Sequence, residues 1–214
     1  MTELTSRPKR GTARPSRDDQ VLDRRRSLME AAIKVISKRG LTGVTINSIA
    51  SEAKCSYGVV AFHFQSKEGV IFAALDHAAA EYEAYLVRLD ASALGPAERI
   101  RRMIDTDFSR KQGSRNTIAL WLAFWAEAAR VPAYRTRCAA LRDHYNRAVA
   151  ADIAELATLR GVALDAELLA VSLNAMISGL WIEALLQTTS ASEAQSRGHA
   201  ACIAMMRAYF PQDF

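Results

Sequence analysis

The chain is poor in the residues that interrupt helices. Its 214 residues include only five prolines and ten glycines. Alanine, leucine and arginine are plentiful, and these are strong helix formers, so the expected fold class is all-α. No useful length of alternating apolar and polar residues appears, and no internal repeat, which excludes sandwiches, barrels and solenoids. Cysteine is scarce too. Cys55, Cys138 and Cys202 are odd in number and far apart, and none has metal-ligand or redox-motif spacing. Reduced thiols in a cytoplasmic protein are the expectation. The first twenty residues lack the apolar core of a signal peptide. The most apolar later stretch, 168–186, is broken by Ser172, Asn174, Ser178 and Glu183. A membrane-spanning helix needs about twenty predominantly apolar residues and tolerates charge poorly, so this stretch is expected to be a buried helix with no membrane partner. Catalytic signatures are missing as well. There is no nucleophile elbow, phosphate loop, metal-ligand cluster or paired set of carboxylates, and His63, His77, His144 and His199 are isolated. Neither an enzyme nor a bound metal or cofactor is expected.

Charge is present but unevenly placed. Residues 1–67 hold 13 Lys and Arg against 6 Asp and Glu, whereas the other 147 residues hold 15 against 17. The positive field therefore belongs to the N-terminal third, and a polyanionic partner is the natural reason for it. Residues 1–20, with Arg7, Lys9, Arg10 and Arg14, have no apolar period and are expected to form a disordered basic arm. Such an arm can lie in a minor groove. The alternative is a helical adaptor whose arm binds protein.

From Val21 the pattern becomes helical. Leu28, Ala32, Val35 and Ile36 share one face, and Lys38-Arg39-Gly40 is a stop signal. Thr45 suits the N-cap of a short second helix carrying Ile46, Ile49, Ala50 and Ala53. Ser56 suits the N-cap of a third running to about Phe64, and Ser66 that of a fourth running to about Leu89. Five more helices are predicted over 96–110, 115–130, 133–159, 165–188 and 192–210. Their breaks fall at Gly95-Pro96, Gly113-Ser114, Val131-Pro132, Gly161 and Thr189-Ser190. The predicted organisation is an arm (1–20), a helix-turn-helix domain (21–66) and a larger helical domain (67–214).

Two short helices joined by a tight turn behind a basic segment form a reader of the major groove, which admits one helix while the other braces it across the phosphates. Residues 45–69, TINSIASEAKCSYGVVAFHFQSKEG, resemble the DNA-binding region of TetR-type regulators, through Gly40, Thr45, Ile49-Ala50, Ala53, Ser56, Gly58, Phe62-His63-Phe64 and Lys67-Glu68. The resemblance covers roughly residues 22–80. It implies a nine-helix architecture and contact with double-stranded DNA by Thr45, Lys54, Ser56, Tyr57, Gly58, Phe62, His63 and Lys67. Aromatic bulk favours Phe62 and Phe64 as packing residues instead, and His63 is open between contact and packing. One feature departs from the pattern. The usual Ala-Gly-Val-Ser turn is Ala53-Lys54-Cys55-Ser56, which puts lysine where a left-handed glycine is common.

Residues 119–135 and 175–185 resemble BetI-type repressors, which respond to choline. Trp121 and Trp125 stand one helical turn apart with Phe124 adjoining, and Tyr134 and Trp181 lie on other helices. Aromatic faces can hold a quaternary ammonium by cation–π attraction, with Glu127 or Glu183 as counter-charge. The same five residues can equally be core, or line a site for an uncharged hydrophobic effector. By the resemblance, the last two helices make a homodimer, with Ala170, Ala175, Ser178, Gly179, Ala200, Ala201 and Ala204 permitting close approach. Two-fold symmetry then implies a palindromic operator.

Overall fold

The computed structural model describes residues 16–90, 93–188 and 190–214, so the arm residues Arg7, Lys9, Arg10 and Arg14 lie outside the described residues, as does Thr189. Among the described residues there are nine helices and no strand. They are α1 (Arg17–Arg39), α2 (Ile46–Glu52), α3 (Tyr57–Phe64), α4 (Lys67–Asp90), α5 (Pro96–Asp107), α6 (Arg115–Ala128), α7 (Pro132–Arg160), α8 (Ala166–Leu186) and α9 (Ala191–Tyr209). The predicted breakers act where expected. Pro96 and Pro132 open α5 and α7, and Gly161 closes α7 in the left-handed conformation.

The helix starts show what the apolar period alone misses. α1 begins at Arg17, four residues before Val21. Ser16 and Asp19 form a capping box, each side chain taking the other's backbone N–H at 3.0–3.1 Å. The first turns of α1 are exposed and polar, so they carry no apolar signal. Thr45 and Ser48 cap α2 in the same reciprocal way.

The substituted turn keeps its geometry. Lys54 takes φ +52°. Its N–H bonds to the Ser51 carbonyl (3.2 Å) and the Cys55 N–H to the Ala50 carbonyl (3.0 Å). That pair of bonds is a Schellman closure of α2 with lysine in the position glycine prefers. Lys54→Gly is therefore expected to stabilise the protein by ~0.5–1 kcal/mol, the relief of strain less the added freedom of the unfolded chain. Urea unfolding checks it, and a loss of stability would contradict it.

Two cores share the interior. The smaller joins α1–α4 through Leu28, Ile36, Ile49, Val60, Phe64 and Leu75, and extends to Leu120, Phe124 and Tyr134 of α6 and α7. The N-terminal head, α1–α4, is thus packed onto the larger domain and shares its core with it. The larger core is built from α4–α9, around Ile100, Ile104, Ile153, Leu173 and Met206. Helix α8, expected to be buried, is so on one face only. Leu168, Val171, Ile182 and Leu186 are exposed, and α8 is long and apolar enough to cross a membrane on length and composition alone.

Candidate functional site

A cavity of about 110 Å³ opens among α4, α5, α6, α7 and α8. Three tryptophans supply its aromatic walls: Trp121 and Trp125 from α6, and Trp181 from α8. Trp125 and Trp181 are nearly parallel, with centroids 6.4 Å apart at 10°. Trp181 donates its indole N–H to the Asp107 carbonyl at 3.2 Å, which fixes the ring. Gln112, Cys138, Leu141, Asn174, Ile177 and Ser178 add to the lining.

The cavity's negative charge is one that spacing did not reveal. Asp107, in the last turn of α5, is buried against it. Its Oδ1 accepts the Tyr82 hydroxyl and its Oδ2 the Tyr145 hydroxyl, each at 3.1 Å. No Lys, Arg or His pairs with it among the described residues. Burial pushes its carboxyl up to about 7, against the lowering effect of the two tyrosine hydrogen bonds. Burial also drives both phenols well above their ordinary range, so they remain donors.

The other residues expected to line a ligand site lie elsewhere. Phe124 and Tyr134 stack on each other (6.2 Å, 28°) inside the smaller core, facing the head. On α6, Leu120 and Phe124 belong to the smaller core and Trp125 lines the cavity, while Trp121 lies between, lining the cavity and meeting Phe124 edge-on at 6.4 Å. The two glutamates proposed as counter-charge are also engaged outside the cavity. Glu127 pairs with Arg130 at 3.0 Å and Glu183 accepts the Gln187 amide at 2.7 Å.

The second candidate surface is the outer face of α3. Val60 and Phe64 point into the core, while Tyr57, Gly58 and Phe62 point out. Phe62, expected from its bulk to pack, is 78% exposed. The physical reason is helical phase: Phe62 lies two residues from both Val60 and Phe64, on the opposite side of the helix. Ser56 caps α3 by position without a side-chain hydrogen bond. A Cβ on Gly58 would meet nothing nearer than Ser56 Oγ at 3.9 Å, so internal packing does not call for glycine there. Thr45 and Lys54 are exposed, and Lys67 and His63 half-exposed. Arg25 of α1 locks α3 in place, donating to the His63 carbonyl at 2.9 Å and covering the Phe64 ring at 4.5 Å. Burial, then Arg25 and Arg24, hold the His63 imidazole below its ordinary value, so it is mostly neutral at pH 7.

These features coincide with known proteins. Residues 28–74 match the pattern of bacterial regulatory proteins of the tetR family, and residues 96–210 match the BetI-type transcriptional repressor C-terminal domain. The chain belongs to the TetR family, BetI type. HTH-type transcriptional regulators BetI from Paraburkholderia phytofirmans and Paraburkholderia phymatum are 31% and 33% identical to it, each over 76% of this chain and 82% of the relative. A transcriptional regulator from Saccharomonospora viridis, solved in complex with choline, is 25% identical with a TM-score of 0.76, covering 87% of this chain and 96% of that one. A regulator from Pseudomonas aeruginosa gives 25% identity and a TM-score of 0.73, over 87% and 90%.

In this TetR-family regulator the cavity and the reading head touch the same helices. α4 starts at Lys67 under the head and carries Tyr82 into the cavity. α7 holds Cys138, Leu141, Arg142 and Tyr145 at the cavity, while its first turns grip α4. There Arg137 pairs with Asp76 at 3.0 Å and lies over Phe72 at 4.6 Å, and Phe72 packs on Tyr134 at 4.5 Å.

Proposed function

We propose that this TetR-family regulator is an operator-binding repressor whose DNA affinity falls when a small quaternary ammonium compound, choline being the reference case, enters the Asp107 cavity. The observation that carries the reading is a buried carboxyl that pairs with no cation among the described residues, in a cavity walled by tryptophans. Such a site holds an alkylated ammonium by charge and cation–π attraction together. The choline complex of the Saccharomonospora viridis relative supports it.

On the DNA side, Tyr57, Gly58 and Phe62 are presented to the major groove, with Thr45, Lys54, Ser56 and Lys67 aimed at phosphates. Head spacing is set by a homodimer. Its face is the unpartnered stripe of α8, where Leu168, Val171, Ala175, Gly179, Ile182 and Leu186 are all exposed at three- and four-residue steps. Ala200 and Ala204 of α9 are exposed too. Ligand contact with Trp121, Trp125 and Tyr82 biases α6 and α4, and through Phe124 and the Arg137–Asp76 pair biases the head. Coupling of ~1–3 kcal/mol suffices for a several-fold to hundredfold change in operator affinity.

Calorimetric titration with choline across pH tests the site. A cation prefers ionised Asp107, so binding displaces a proton while the empty cavity holds one. Affinity is expected to rise by up to about tenfold per pH unit on approaching pH 7 and to level off above it. An uncharged hydrophobic effector is the second reading, favoured by the neutral form of Asp107 below pH 7. Its affinity would be flat or would fall over the same range.

A further inference from the structure

Among the described residues only two that line the cavity carry formal charge, and they are of opposite sign: Asp107 and Arg142. Asp107 is at the buried floor. Arg142, on α7, is exposed and stands at the mouth. Its guanidinium lies 5.3 Å from the Trp125 ring centroid and reaches to 3.5 Å from Ser178 Oγ. Among the described residues no carboxylate pairs with it. A guanidinium placed on the ring that would hold a ligand's ammonium repels a simple cation. It attracts a ligand whose far end is anionic, and its planar fork matches a carboxylate.

We propose that the preferred effector is zwitterionic: a trimethylammonium group seated toward Asp107 and a carboxylate at the mouth, held by Arg142 with Ser178 beside it. The inference rests on the quaternary-ammonium reading above and names the substrate class for it. Arg142 is then the residue that decides between choline and its carboxylated counterparts. Choline, lacking the anion, binds the same walls more weakly.

The test is calorimetry on the full chain with choline and with trimethylammonium carboxylates having one to four methylenes between the charges. These ligands are compared on wild type, Arg142→Lys and Arg142→Met, whose unbranched stem still covers Trp125. Exposure of Arg142 predicts that all three fold, which thermal melts check. The expected result is that at least one carboxylate binds wild type about tenfold or more tighter than choline. Arg142→Met is expected to weaken that carboxylate by tenfold or more, leave choline equal or tighter, and so invert the preference; Arg142→Lys is expected to retain part of it. Choline binding tighter than every carboxylate to wild type overturns the zwitterion proposal and leaves the quaternary-ammonium reading standing. An equal effect of Arg142→Met on both ligand classes overturns it too. Failure of all these ligands to bind wild type overturns both.

Discussion

Asp107→Asn is expected to remove tight binding of quaternary ammonium compounds while making the unliganded protein more stable at pH 8. The carboxyl is buried, bonded by two phenols and unmatched by any cation among the described residues. Folding raises it from 3.8 to about 7. The folded state therefore holds a proton between about pH 4 and 7 that the unfolded chain has released. Stability falls as pH rises through that window and levels off above 7. The full cost, on the order of 4 kcal/mol at pH 8, is what asparagine relieves. Asparagine can still accept from one tyrosine and donate to the other. The expected rise in Tm at pH 8 is ~10 °C, shrinking toward zero near pH 4. Choline affinity is expected to fall by roughly 30–150-fold, the loss of a charged partner worth about 2–3 kcal/mol. Melting curves at pH 4, 6 and 8 beside a titration check both halves. A variant that is less stable at pH 8, or that binds choline as wild type does, contradicts the assignment. Destabilisation retained in the resting protein is the mark of a group kept for binding.

Phe124→Ala is expected to destabilise the protein and to separate binding from response. The ring is fully buried and stacked on Tyr134 on the head side of α6. Truncation costs about 3–5 kcal/mol, or ~6–20 °C in Tm for a chain of this size. Phe124 is outside the cavity lining and touches it only through the edge of Trp121, so effector affinity should change less than operator response. Operator release should be blunted, because the packing that carries α6 onto the head is gone. Where the alanine variant does not fold, Phe124→Leu leaves most of the volume and should show the same split in milder form. Equal loss of effector binding and operator response would place Phe124 in the effector site and contradict the division of α6 into two faces.

Much of this was legible in the sequence, and the residues that were not share a cause. The helix breaks are local chemistry, so Pro96, Pro132 and Gly161 announce them. The turn motif around Ser56 is local as well, and even the anomaly at Lys54 could be read as a left-handed position. Asp107 could not be read this way. In ERIRRMIDTD it is one acid among the several charges of an amphipathic helix. Its meaning comes from Tyr82 and Tyr145, 25 and 38 residues away. Arg142 is hidden similarly in LRDHYNR, where every neighbour is polar or charged except one leucine and one tyrosine. α6 is apolar on nearly all sides, so the sequence offers no sign of which aromatics face the cavity and which the head. Phe62 misleads in the other direction, since bulk argues for burial and only helical phase sends it outward. The start of α1 was missed because a capped, fully exposed helical turn has no apolar period to detect.

The most direct measurement is operator affinity of the full-length protein with and without saturating choline at pH 8, by fluorescence anisotropy on a labelled palindromic site. Asp107→Asn and Phe62→Ala serve as the two controls. Wild type is expected to bind the operator and to lose between several-fold and about a hundredfold in affinity when choline is added. Asp107→Asn should bind the operator and need roughly 30–150-fold more choline for the same release, and Phe62→Ala should fold and bind the operator poorly in either condition. An operator affinity that is unchanged in wild type when calorimetry shows choline bound would contradict the coupling between cavity and head.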